Sequence, residues 1–192
     1  LNIEEEDIVI VFVGRLSFHA KAHHVPMYTA LEACAKELSG KKKIHLIQTG
    51  WFANETLENT FKTEAKKICP SVNCIFLDGT NQENKRKTLA SGNIFMSLSD
   101  NIQETFGLTP LEGMASGLPV IVSDWNGYRS TVRDKVDGFR IKTYALPSGY
   151  GEQLAFDYMI GKISYDYYIA YSVQKTAIDV KDCIEKLKLL IF

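Results

Sequence analysis

The chain has 192 residues, of which 45% are hydrophobic and 23% charged, with a formal net charge of -1. That length and balance fit a globular chain with a sizeable core, and the near-zero charge gives no reason to expect nucleic acid as a partner. No run approaches the roughly eighteen apolar residues that a membrane span needs, and the acidic start Glu4-Glu5-Glu6-Asp7 is not that of a signal peptide.

In chain order, Ile8 to Val13 is a continuous β-branched and aromatic run, as expected of a strand buried on both faces, and Gly14 ends it. Val25-Pro26 begins a helix with Pro at its first position; Tyr28, Leu31, Ala35 and Leu38 form its apolar face, and Gly40 stops it. A strand over Ile44 to Gln48, a helix over Asn54 to Ile68 and a strand over Val72 to Leu77 follow. Then come a polar helix over Asn81 to Ala90 and a strand over Asn93 to Leu98. A helix is expected at about Leu108 to Ser116, a fifth strand at Leu118 to Val122, a short helix near Tyr128 to Val132 and a sixth strand at Gly138 to Ile141.

Strict alternation of strand and helix predicts an α/β fold: a Rossmann-like parallel sheet of about six strands with helices on both faces. Ligands of such sheets bind beyond the carboxyl ends of the strands. Residues 1–142 therefore read as the sheet domain. Residues 143–192 read as a mainly helical extension on the same domain, loop-like over 143–152 and rich in tyrosine beyond. Cys34, Cys69, Cys74 and Cys183 match no zinc spacing; free, mostly buried thiols and a reducing cytoplasm are expected. The start at Leu1 and the end in Leu189-Leu190-Ile191-Phe192 read as a piece of a larger protein.

The stretch Glu104-Thr-Phe-Gly-Leu-Thr-Pro-Leu-Glu-Gly-Met-Ala-Ser-Gly117 carries the most information. Its helix start offers unpaired N–H groups and a positive dipole end to an anion such as a diphosphate. Two carboxylates beside a phosphate would repel it unless they accept hydrogen bonds from sugar hydroxyls. Gly14-Arg15, with Lys21 six residues on, could clamp that diphosphate. Alone, the two cations read more readily as solvated surface charges. Glu112 also fits a capping box in which Thr109 caps the helix and Pro110 opens it. His19, His23 and His24 read as loop and helix-start histidines rather than metal ligands. Asp124-Trp125-Asn126-Gly127 is a turn that could face a ligand.

Together these residues resemble the group 1 glycosyltransferases, also called glycosyltransferase family 4. Glu104 and Glu112 match the family's Glu-x7-Glu signature, Gly14-Arg15-Leu16 with Lys21 its phosphate-binding pair, and Val132 with Asp137-Gly138 its Val-x-Asp-Gly pattern. The resemblance covers about residues 8 to 141. It implies one half of a GT-B fold, the C-terminal donor-binding domain of a retaining, metal-independent enzyme whose acceptor domain this chain lacks. The implied ligand is a nucleotide-diphosphate sugar, with no other cofactor; the acceptor is unspecified. Arg15 and Lys21 would bind the diphosphate and stabilise the leaving nucleotide. Glu104 would lie against the donor sugar, and Glu112 would hold the ribose hydroxyls. Gly14, Thr105 and the backbone of Phe106, Gly107 and Leu108 would complete the site.

Two departures stand out. The Arg-to-Lys spacing is one residue longer than in many members, and Asn126-Gly127-Tyr128-Arg129-Ser130 replaces the family's Gly-Gly-x-Pro-Glu, losing its Glu. A GT-B nucleotide-sugar epimerase and a non-catalytic partner protein are the alternatives. The implied address is cytoplasmic, at most peripheral to a membrane.

Overall fold

A computed structural model describes residues 3–40 and 42–192. Six parallel strands form one sheet: β1 (Ile8–Val13), β2 (Ile44–Gly50), β3 (Val72–Asp78), β4 (Ile94–Ser97), β5 (Val120–Ser123) and β6 (Gly138–Ile141), in the order β3-β2-β1-β4-β5-β6. The central strands β1, β2, β4 and β5 are buried along their whole length, which is why they read as unbroken apolar runs. β4 and β5 are shorter than the runs that mark them in the sequence, since Asn93, Leu98, Leu118 and Pro119 flank the strands.

Successive strand residues point to opposite faces. Ile8, Ile10, Ile44 and Leu46 pack with Met27, Tyr28 and Leu31 of α1 (His24–Glu37), Ala65 of α2 (Glu55–Ile68) and Cys183 and Leu187 of α8 (Val180–Ile191). Val9, Val11, Ile47 and Phe95 pack on the other face with Leu89 of α3 (Gln82–Ser91) and Tyr128, the first residue of α5 (Tyr128–Thr131). The helix α4 (Leu108–Ala115) lies on this second face, where a Cβ on Gly113 would come within 2.8 Å of the Phe95 ring.

The region after β6 holds more than a loop and helices. β7 (Thr143–Ala145) and β8 (Thr176–Ile178) pair antiparallel as a separate small sheet. Between them α6 (Glu152–Met159) and α7 (Tyr165–Val173) form an excursion. α8 then returns the chain to α1, where it is anchored by an ion pair of Lys188 with Glu37. Among the described residues, no helix is long and apolar enough to cross a membrane, and Cys34, Cys69, Cys74 and Cys183 are all free thiols.

Candidate donor site

The strand order reverses where β1 lies beside β4, the place where open parallel sheets bind their ligands. A cleft of about 420 Å³ opens at this point, lined by Gly14, Arg15, Lys21, Trp51, Ser99, Asn101, Gln103, Glu104 and Thr109, with Ala20. Gly14, Arg15, Lys21 and Glu104, singled out from the sequence, therefore share one cleft. Thr105, Phe106 and Leu108 are exposed beside it.

The loop after β4 holds the loop after β1. Ser99 Oγ donates to the Lys21 carbonyl at 2.7 Å, and Asn101 Nδ2 donates to the His19 carbonyl. The turn that carries Glu104 is braced in its own right from the loop after β5. The Trp125 indole donates to the Asn101 carbonyl at 3.0 Å, and the Gly127 N–H donates to the Glu104 carbonyl at 3.1 Å. The Asp124-Gly127 turn thus supports the cleft wall.

Lys21 Nζ and Glu104 Oε2 form an ion pair in which both side chains are largely buried. Tyr128 donates its hydroxyl to the same Glu104 oxygen at 3.2 Å. Arg15 is exposed, its guanidinium carbon 5.3 Å from the centre of the Trp51 ring, a cation–π arrangement at the cleft mouth.

α4 begins differently from the capping box expected of Thr109-Pro110-Leu111-Glu112. The N-cap is Gly107, in the left-handed region at φ 86°, and no side chain caps the helix. Only glycine fits here, because a Cβ would also stand 2.5 Å from the Tyr128 ring. The start is shifted towards the N-terminus, so Glu112 is free of any capping duty. Its Oε1 accepts from Lys85 Nζ of α3 at 2.6 Å, while Oε2 is buried with no hydrogen-bond partner among the described residues. Thr109, three residues earlier on the same helical face, lines the cleft beside the Tyr128 hydroxyl. The N–H groups of Phe106, Gly107 and Leu108 donate to no backbone acceptor among the described residues, as expected at a helix start.

The histidines near Lys21 have separate structural partners. His19 Nε2 lies 2.9 Å from Asp166 of α7, His23 caps α1, and His24 pairs with Glu64 of α2. Burial holds the His24 pKa below its ordinary value despite that carboxylate.

Several residues of the site carry little signal in the sequence. Trp51 and Ser99 follow strand ends, a position that could have flagged them. Lys85 and Tyr128 reach their carboxylates only through tertiary packing. Asp100 is buried at the end of β4 with Oδ1 unpartnered, and burial pushes its carboxyl up to about 7 against hydrogen bonds from the backbone.

The family described as "Glycosyl transferases group 1" matches residues 1–154. The chain is 28% identical over 141 residues to EpsD of Bacillus subtilis (strain 168), covering 73% of this chain and 34% of that protein. It is 34% identical over 105 residues to the alpha-1,3/1,6-mannosyltransferase ALG2 of Dictyostelium discoideum, covering 52% of this chain and 24% of that one. The chain thus spans about a third or less of these relatives. Among solved structures, Anabaena Alr3699/HepE in complex with UDP and glucose superposes with a TM-score of 0.55 at 18% identity, over 96% of this chain and 48% of that one. The C-terminal domain of the group 1 glycosyl transferase LpcC from Francisella tularensis gives 0.54 at 16% identity, over 95% of this chain and 85% of that domain. The sheet and the ordered motifs over residues 1–154 agree: the chain belongs to the group 1 glycosyl transferases.

Proposed function

We propose that this chain is the donor-binding half of a retaining GT-B glycosyltransferase that moves a sugar from a nucleotide-diphosphate sugar to an acceptor. The observation that carries this reading is one cleft that holds both a lysine and an arginine, beside a helix α4 on which Glu112 Oε2 is buried and unpartnered. A buried acceptor without a donor is costly, on the order of 1–3 kcal/mol, and a ligand hydroxyl would satisfy it. Alr3699/HepE, which shares the fold, binds UDP-glucose.

In this reading Arg15 and Lys21 take the diphosphate and stabilise the charge that develops on the leaving nucleotide, the task a metal ion performs elsewhere. Glu112 holds the ribose hydroxyls and Glu104 faces the donor sugar. The free N–H groups of Phe106, Gly107 and Leu108 at the α4 start add dipolar stabilisation of the anion. Residues 1–142 carry the site, and residues 143–192 extend the same domain. The acceptor wall of the cleft belongs to a second domain outside this chain. A cytoplasmic address, at most peripheral to a membrane, accords with this role.

Calorimetry with UDP, GDP, UDP-glucose, UDP-N-acetylglucosamine and GDP-mannose tests the reading. At least one nucleotide should bind. Arg15→Ala and Glu112→Ala should each lose on the order of 1.5–3 kcal/mol, the worth of a charge-assisted hydrogen bond. Binding that is absent, or indifferent to both substitutions, would overturn the donor site. Robust sugar transfer by this chain alone would overturn the assignment of the acceptor wall to another domain.

A further inference from the structure

One polar chain in the cleft wall has no part in the roles above. Ser97 Oγ at the end of β4 lies 2.8 Å from the Tyr128 hydroxyl, which donates to Glu104 Oε2 at 3.2 Å. Tyr128 is fully buried. Its place is fixed by close backbone approach to its ring and to the residue before it. A Cβ on Gly107 would strike the ring itself, and a Cβ on Gly127, the residue before it, would come within 2.4 Å of the Phe106 nitrogen. Burial, with the Glu104 charge second, raises the phenol pKa, so the hydroxyl keeps its proton and stays a donor. Both protein hydrogen bonds to the Glu104 carboxylate fall on Oε2, from Lys21 and from Tyr128. Among the described residues, Oε1 receives none.

Lys21 and Tyr128 differ in what a ligand would do to them. A diphosphate draws the ammonium of Lys21 towards itself and weakens its hold on Glu104. The buried hydroxyl of Tyr128 carries no charge for a diphosphate to draw away. We propose that Tyr128 is a positioning residue that anchors Glu104 Oε2 so that Oε1 meets a hydroxyl of the donor sugar, making sugar recognition, and not nucleotide recognition, depend on the Tyr128 hydroxyl. This rests on the donor-site reading.

Tyr128→Phe keeps the ring under Gly107 and removes only the hydroxyl. Calorimetry of wild type and variant compares UDP with UDP-glucose and UDP-N-acetylglucosamine, and GDP with GDP-mannose. For the nucleotide that the wild type binds, the variant should lose about tenfold or more in affinity for the sugar-bearing form, as for a hydrogen bond to a charged group, and bind the bare diphosphate within about twofold. Equal loss for both forms marks a merely structural tyrosine and overturns the proposal. An unchanged sugar-bearing affinity overturns it while leaving the donor site intact, provided Arg15→Ala still weakens the bare diphosphate. If the wild type binds no nucleotide, the donor site and this proposal fall together. A double-mutant cycle in thermal unfolding gives a check without ligand: Tyr128→Phe and Glu104→Gln should shift the midpoint non-additively. Additive shifts overturn the anchoring contact.

Discussion

Tyr28 and Tyr128 are fully buried, their hydroxyls paired with Gln48 and with Ser97 and Glu104, whereas Tyr158, Tyr165, Tyr167 and Tyr171 keep 40% to 45% of their surface exposed. The first two sit at the rim of the parallel sheet and the other four on the α6–α7 excursion. At the rim, strand ends fixed on both faces hold polar side chains in a single arrangement, so a tyrosine becomes part of a hydrogen-bonded wall. On the excursion α6 buries no residue at all. There the tyrosines pack mostly on one another, Tyr158 on Tyr168 at 5.2 Å between ring centres and Tyr167 on Tyr171 at 4.2 Å. Residue type alone does not tell a site from a surface; what matters is whether the backbone beneath it is over-determined.

The sharpest way to break this contrast is pH. Asp100 at the rim has an ordinary carboxylate value of 3.8 and is pushed up to about 7 by burial. Between roughly pH 4 and 7 the folded carboxyl keeps a proton that the unfolded one has released, so its contribution to stability falls as pH rises. The stability difference between wild type and Asp100→Asn should drop by up to ~4 kcal/mol over that window, about 1.4 kcal/mol for each pH unit crossed. Denaturant unfolding at several pH values reads it, and a flat difference would remove Asp100 from the rim's strained inventory. Asp157 on the excursion should behave oppositely. Lys162 holds its carboxyl low, so its contribution is lost only as pH falls below the ordinary carboxylate value and through the lowered one.

The next test pairs two glycines with positive φ. Gly107→Ala meets both a left-handed backbone at φ 86° and the Tyr128 ring at 2.5 Å, and should cost about 3 kcal/mol, strain plus overpacking. Gly149→Ala, at φ 97° with only the Glu152 carboxylate 3.6 Å away, should cost about 1 kcal/mol from backbone strain alone. Equal losses in urea titrations would mean that the rim is no tighter than the excursion. Smallest of all, Tyr167→Ala should change unfolding by no more than about 0.5 kcal/mol, as for an ordinary surface position. A loss above about 2 kcal/mol would show that the stacked tyrosines act as a core.

The sheet is legible in the sequence because its central strands are buried on both faces and therefore spell out unbroken apolar runs. The cleft is partly legible for a related reason: Arg15, Lys21 and Glu104 follow strand ends, where parallel sheets place their ligands. The start of α4 at Leu108 is legible too, but its cap is not, since Thr109-Pro110-Leu111-Glu112 satisfies a local capping rule, while the real cap is Gly107, packed on a ring that lies 21 residues downstream. Local rules see only neighbours in sequence. β7 and β8 stay hidden for the same reason, because each is three residues long and finds its partner across the whole α6–α7 excursion. Tyr128 stands 24 residues from Glu104, and nothing near it in the sequence signals the contact.

The pairing of Lys21 with Glu104 has a bearing on discrimination. A cleft that has already neutralised its own lysine is a poor trap for stray anions. Inorganic phosphate would have to take the ammonium from a carboxylate and leave that carboxylate short of a partner, and breaking a buried pair in this one-sided way is unfavourable by several kcal/mol. A ligand that brings a phosphate and a hydroxyl together replaces both halves of the bond it disrupts. In the proposed donor site the resting ion pair would therefore favour a ligand that presents both groups over one that presents either alone.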